Sequence, residues 1–148
     1  MTTVYVYVMN TMADWEIGYC LAELHSNVRI LEIAKRFIEV GGLVAAICGA
    51  TVALANIGIL DNKKHTSNGA DFLNMFCPEY KGTDHYIDKP AVRDGNLITA
   101  AATGALDMTR LILEYLDLFA ADTLEHWYAY FSTGNADEFF AMMQSLQK

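Results

Sequence analysis

What this 148-residue chain lacks narrows its chemistry first. It has three cysteines, Cys20, Cys48 and Cys77, an odd and widely spaced set with no C-x-x-C pair. That excludes a disulfide framework and fits reduced thiols in a cytoplasm. Basic residues are few and scattered: ten Lys and Arg against eighteen Asp and Glu give a net charge of −8. Such a balance argues against nucleic acid and anionic membrane as partners. No apolar run is long enough to span a bilayer. The start, Met1-Thr2-Thr3 leading into Val4-Tyr5-Val6-Tyr7-Val8, lacks the basic stretch and cleavage site expected of a signal peptide. No G-x-x-x-x-G-K-[ST] occurs, so the glycines form no phosphate loop. Asp84, His85 and Asp88 fit no standard zinc spacing. Neither a cofactor nor a metal is expected.

What is present is apolar and periodic. Hydrophobic residues make up 53% of the chain, enough for one domain over residues 1–148 with a real core. Val4 to Met9 predicts a strand. Ile17, Cys20, Leu21 and Leu24 then predict a helix, and Ile30, Ile33, Ala34 and Phe37 a second one stopping at Gly41-Gly42. Leu43 to Ile47 is a short unbroken apolar run, as in a parallel strand buried on both faces. It ends on Cys48, followed by Gly49 and a helix from Ala50 to Ala55, ending near Gly58. Strand, cysteine, glycine and helix make a nucleophile elbow, with Gly49 expected to take the tight turn and the helix start to favour thiolate.

A short strand is expected around His65-Thr66-Ser67, then a helix through Phe72 and Phe76 closed by Pro78. Val92 to Thr99 predicts a hairpin turning at Asp94-Gly95 or Gly95-Asn96. Leu106 to Phe119 predicts a largely buried helix. Residues 121–148 form a helical extension, marked by Leu124, Trp127, Tyr128 and Phe131, then Phe139, Met142, Met143 and Leu146. Asn135 and Glu138 resemble a capping box for the last helix. Alternating strands and helices imply an α/β class.

The run Ala46-Ile47-Cys48-Gly49-Ala50, then Ala55-Asn56-Ile57-Gly58-Ile59-Leu60-Asp61-Asn62-Lys63-Lys64, resembles the ThiJ/PfpI family. Arg93-Asp94-Gly95-Asn96-Leu97-Ile98-Thr99-Ala100, running into the Gly104 to Leu116 helix, looks like that family's final strand and helix. The resemblance covers about Val4 to Glu23 and Ile30 to Phe119. It implies a flavodoxin-like sandwich, with a mainly parallel sheet and helices on both faces. Family members usually carry extra strands and a Gly-Gly oxyanion turn between the first two helices. Here Ala22-Glu23-Leu24-His25-Ser26-Asn27 joins those helices almost directly. Either the domain is internally shortened or residues are omitted. The N–H groups near Gly49 are then the oxyanion donors left, and loss of a second donor costs about 2.7–4 kcal/mol.

By the same resemblance Glu16 faces the sulfur and, when protonated, donates to the thiolate. Its neighbours Trp15 and Ile17 would favour that protonation, while Asp14 suits the helix N-cap. A base is harder to name. Proteolytic members carry His directly after the nucleophile, where Gly49 stands here. His65 could approach the site and His85 lies in a loop, whereas His25 and His126 sit on helices. The expected activity is attack by Cys48 on a small carbonyl or amide substrate, with Glu16, the Gly49 backbone and His65 as candidate helpers. Peptidase activity is not expected. The alternative is a redox or stress-response protein in which Cys48 is an oxidisable sensor. A homodimer or higher homo-oligomer is expected, either through an unpaired Val4–Met9 strand edge or through the Trp127 and Tyr128 surface of the apolar C-terminal helices.

Overall fold

The computed structural model describes residues 28–146. The expected Val4–Met9 strand and first helix, with Glu16, Cys20 and His25, lie outside the described residues. The first described helix, α1 (Val28–Glu39), ends because Gly41 takes a φ of +80°, which L side chains resist. Gly42 N–H then donates to Phe37 O at 2.7 Å and Gly41 N–H to Ile38 O at 3.2 Å. This is the paired 6→1 and 5→2 closure of a Schellman motif. A side chain at Gly42 would meet the Phe37 ring at 2.7 Å, so both glycines of the stop signal are required.

Strand β1 (Val44–Ile47) follows, then α2 (Ala50–Asn56), α3 (Ala70–Phe76), and a 3₁₀ turn (Thr83–His85). The hairpin strands β2 (Ala91–Asp94) and β3 (Leu97–Ala100) lead to α4 (Ala105–Tyr115), α5 (Ala121–Thr133) and α6 (Ala136–Ser145). The short segment at His65 forms a single parallel bridge with Tyr86 rather than a strand. The described sheet is small and mixed, in the order β1-β3-β2. Strand β1 runs parallel to β3, from Val44 opposite Leu97 to Ile47 opposite Ala100. Strands β2 and β3 are antiparallel, with Asp94 opposite Leu97, joined through Gly95-Asn96. Gly95 has a φ of +61° and Asn96 does not, the sign pattern of a II′ turn. The Asn96 amide also donates to Ile38 O and Gly42 O, at 3.0 and 2.7 Å, fastening the turn to the end of α1.

Side chains alternate across the sheet. Val44, Ala46 and Leu97 point into a core with Val52, Leu54 and Ala55 of α2, Leu60, Leu73 of α3, Cys77 and Tyr80. Ala34 and Ile38 of α1 pack against it. Ile98 and its opposite number Arg93 face the other way, where α4 lies: Arg93 stacks over the Tyr115 ring at 5.0 Å. All four residues of β3 are buried, whereas Ala45 on β1 is exposed, so burial on both faces belongs to the central strand.

The expectation that the Leu106–Phe119 helix is largely buried does not hold. No residue of α4 is fully buried, because Asp107, Thr109, Arg110 and Glu114 interrupt its apolar girth. The helix ends at Tyr115, and Asp117 turns the chain with a φ of +49°. Helix α5 joins α4 through Tyr128, whose hydroxyl donates to Asp107 at 2.9 Å and whose ring lies under Arg110. Gly134 and Asn135 connect α5 to α6, which pack through Tyr130 and Phe139. Asn135 caps α6 by accepting from Asp137 N–H at 3.0 Å. Glu138 does not complete the capping box; its carboxylate pairs with His126 of α5 at 2.7 Å. No helix among the described residues is long and apolar enough to cross a membrane.

Candidate functional site

Cys48 continues the β1 register by one bond, its N–H donating to Ala100 O at 2.9 Å. It then leaves the strand with a φ of +57°, a left-handed conformation for a residue with a side chain. Gly49 has φ −64° and ψ −17°, ordinary right-handed geometry. The tight turn assigned from sequence to Gly49 is therefore made by Cys48 itself. Strain of this kind costs about 1–3 kcal/mol and persists only where surroundings enforce it. Here the enforcement is visible. Thr51 Oγ1 donates to Cys48 O at 2.5 Å, and Thr51 N–H reaches the same oxygen at 3.1 Å. The Thr51 proton is thus spent on a carbonyl, so Ser67 Oγ, 2.7 Å away, donates to Thr51. Tyr86 OH donates to Ser67 O at 3.3 Å. Thr51 and Ser67 are buried, so this hydrogen-bond chain runs sheltered from water up to the elbow.

The Cys48 sulfur is half-buried and accepts a hydrogen bond from Asn68 Nδ2 at 3.1 Å. Asn68 Oδ1 accepts from Ala102 N–H at 2.8 Å. Asn68 was not singled out by sequence. Its signal was its place in Ser67-Asn68-Gly69, on the loop leaving the expected short strand. The Gly49 N–H, beside the sulfur-bearing residue, has no acceptor among the described residues.

His65 does not serve this site. It is fully buried, with Nδ1 2.6 Å from Lys63 O and Nε2 2.5 Å from Tyr80 OH. A carbonyl can only accept, so Nδ1 carries the proton and Nε2 accepts from Tyr80. No ring nitrogen remains for Cys48. Burial holds the imidazole below its ordinary pKa, and burial likewise pushes the Tyr80 phenol up to about 12. His65 is a post that joins the Lys63 turn to Tyr80, set edge-on to the Tyr80 and Tyr86 rings. His85 is exposed on the 3₁₀ turn and His126 is paired with Glu138. Cys77 is a contrast to Cys48: it is buried in the core, and burial pushes its thiol pKa up. Among the described residues no three His, Cys, Asp or Glu side chains converge as a metal ion would need. Glu16 lies outside the described residues.

Comparison with known proteins extends this picture. Residues 22–115 match the profile of the DJ-1/PfpI family, a span that takes in the elbow, the Asn68 loop and the β2–β3 hairpin. The chain is 33% identical to the uncharacterised protease YoaZ of Bacillus subtilis (strain 168), an alignment covering 98% of each chain. It extends over 205 positions, so against 148 residues at least 57 have no counterpart here. The solved thiJ/pfpI family protein from Bacillus anthracis is 40% identical, with a TM-score of 0.77 over 90% of this chain and 59% of that one. A DJ-1 superfamily protein from Agrobacterium tumefaciens is 33% identical, with a TM-score of 0.67 over 78% of this chain and 61% of that one. This chain thus spans about three fifths of the length of those two structures. With the elbow cysteine seated on an α/β sheet and the profile covering most of the sequence, the chain belongs to the DJ-1/PfpI family.

Proposed function

We propose that this protein acts through Cys48 on small carbonyl substrates. The observation that carries the reading is the Asn68 amide donating to a sulfur held at a left-handed elbow. In the reaction the sulfur lone pair forms a C–S bond to the carbonyl carbon, and the π pair moves to oxygen. In this reading the Gly49 N–H donates to that oxyanion. Protonation then yields a hemithioacetal, with no leaving group to expel. Amide cleavage asks for more, since an acid must protonate the departing amine. His65 has no nitrogen to offer for that step. Carbonyl addition is therefore favoured over amide hydrolysis, and Glu16 keeps its proposed role as a proton donor to sulfur.

A direct test follows glyoxal consumption by the wild-type protein and by Cys48→Ser, alongside a fluorogenic peptide. The wild type should consume glyoxal, Cys48→Ser should not, and neither should cleave the peptide. Equal glyoxal loss in both proteins, or Cys48-dependent peptide cleavage, would overturn the proposal. The rival reading, Cys48 as an oxidisable sensor, draws on the same hydrogen bond, because an amide donor also holds a sulfur–oxygen anion. Peroxide treatment that adds oxygen to the Cys48 peptide, in a protein inert to glyoxal, would favour it. The setting proposed is cytoplasmic, in keeping with the free thiols of Cys48 and Cys77.

A further inference from the structure

We infer that Asn68 is a catalytic residue of this site, a fixed hydrogen-bond donor to the reacting sulfur that stabilises negative charge there. The inference rests on Cys48 being the nucleophile and adds the group that sets its reactivity. The orientation of the Asn68 amide follows from its neighbours. Ala102 N–H, 2.8 Å from Oδ1, can only donate, so the amide oxygen must face it. That leaves Nδ2 toward the sulfur, at 3.1 Å. A carboxamide so placed donates and does not take up a proton near neutral pH. It assists a sulfur that is already anionic and cannot remove a proton as a histidine would.

The donor is also held in place from two sides. Ser67, the preceding residue, is buried and donates to Thr51 on the elbow helix. Ala102 follows β3, the strand whose Ala100 accepts the Cys48 N–H. Asn68 therefore spans the two chain segments that leave neighbouring parallel strands at the same end. Strand β1 supplies the sulfur, and the β3 exit fixes the amide.

This arrangement separates a chemical role from a purely structural one. Asn68→Asp keeps an oxygen for Ala102 N–H but turns a second oxygen toward the sulfur, and the exposed position keeps that carboxylate ionised. Asn68→Ala removes both contacts. The measurement is the iodoacetamide alkylation rate of the Cys48 peptide at neutral pH, with the buried Cys77 peptide as an internal check on folding. Wild type should react fastest. Asn68→Ala should be about tenfold slower, the scale of a lost hydrogen bond to a charged group, and Asn68→Asp slower still. A merely structural clamp predicts the reverse order, with Asp close to wild type and Ala the most altered. Asp equal to or faster than Ala, or three equal rates, overturns the assignment of Asn68 while leaving Cys48 reactive. Wild-type Cys48 labelling no faster than Cys77 overturns the nucleophile reading beneath it.

Discussion

At the scale of single residues, the contrast between His65 and Cys48 shows what local sequence conveys. The elbow at Cys48 was legible because its signal is contiguous: an apolar run, a cysteine, a glycine and a helix in close succession. Its backbone strain and its partners were not, since Thr51, Ser67 and Asn68 are brought to it by the turn and by a segment twenty residues away. His65 misled for the same reason. Its acceptor, Lys63 O, lies two residues back, but its donor, Tyr80 OH, becomes its neighbour only when the chain folds over it. Its burial has a measurable consequence. The folded-state pKa is lowered from the ordinary 6.5, so below that pH the unfolded chain takes up a proton that the folded chain refuses. Stability from this residue is fully present above 6.5 and declines as pH falls from there toward the lowered folded value. Urea unfolding midpoints at a series of pH values should fall more steeply below 6.5 for wild type than for His65→Phe. Parallel pH profiles would show that the buried imidazole is not the source.

At the scale of elements, stop and cap signals were legible where the chemistry is local. Gly41-Gly42 ends α1 because one glycine adopts a positive φ and the other lies against Phe37. Asn135 caps α6 through Asp137 N–H, but Glu138 found a better partner in His126, across the helix pair. Substituting Asn135 with Ala should lower stability by about 1 kcal/mol, read from urea unfolding, because it orphans a first-turn N–H. A change below a few tenths of that would mean water replaces the cap without loss. The burial of α4 was overestimated from its composition. Apolar residues on most sides of a helix indicate burial only if neighbours cover every side, and the described α4 meets the sheet on one side and α5 on another.

At the scale of the whole molecule, the family was legible because two separated motifs, the elbow and the Asp94-Gly95-Asn96 hairpin, fall on adjacent strands of one sheet. The self-association expected from the sequence becomes, with the exposed side chains in view, a proposal about particular residues. Tyr128 is tied to Asp107 and Arg110, whereas Phe131 and Phe140 are the most exposed large apolar side chains of α5 and α6, at 59% and 61%. Sedimentation equilibrium should give a mass above the 16.4 kDa of one chain, and Phe140→Glu should shift it toward the monomer. A monomeric wild type at micromolar concentration would refute this. The parallel pairing of β1 with β3 carries a last implication. Moving β1 by one residue against β3 would turn its side chains to the opposite face and part the sulfur from an amide anchored at Ala102. The sulfur's surroundings thereby report on strand alignment: correctly paired strands bring the Asn68 donor to Cys48, and a slipped copy would carry the same cysteine without that donor.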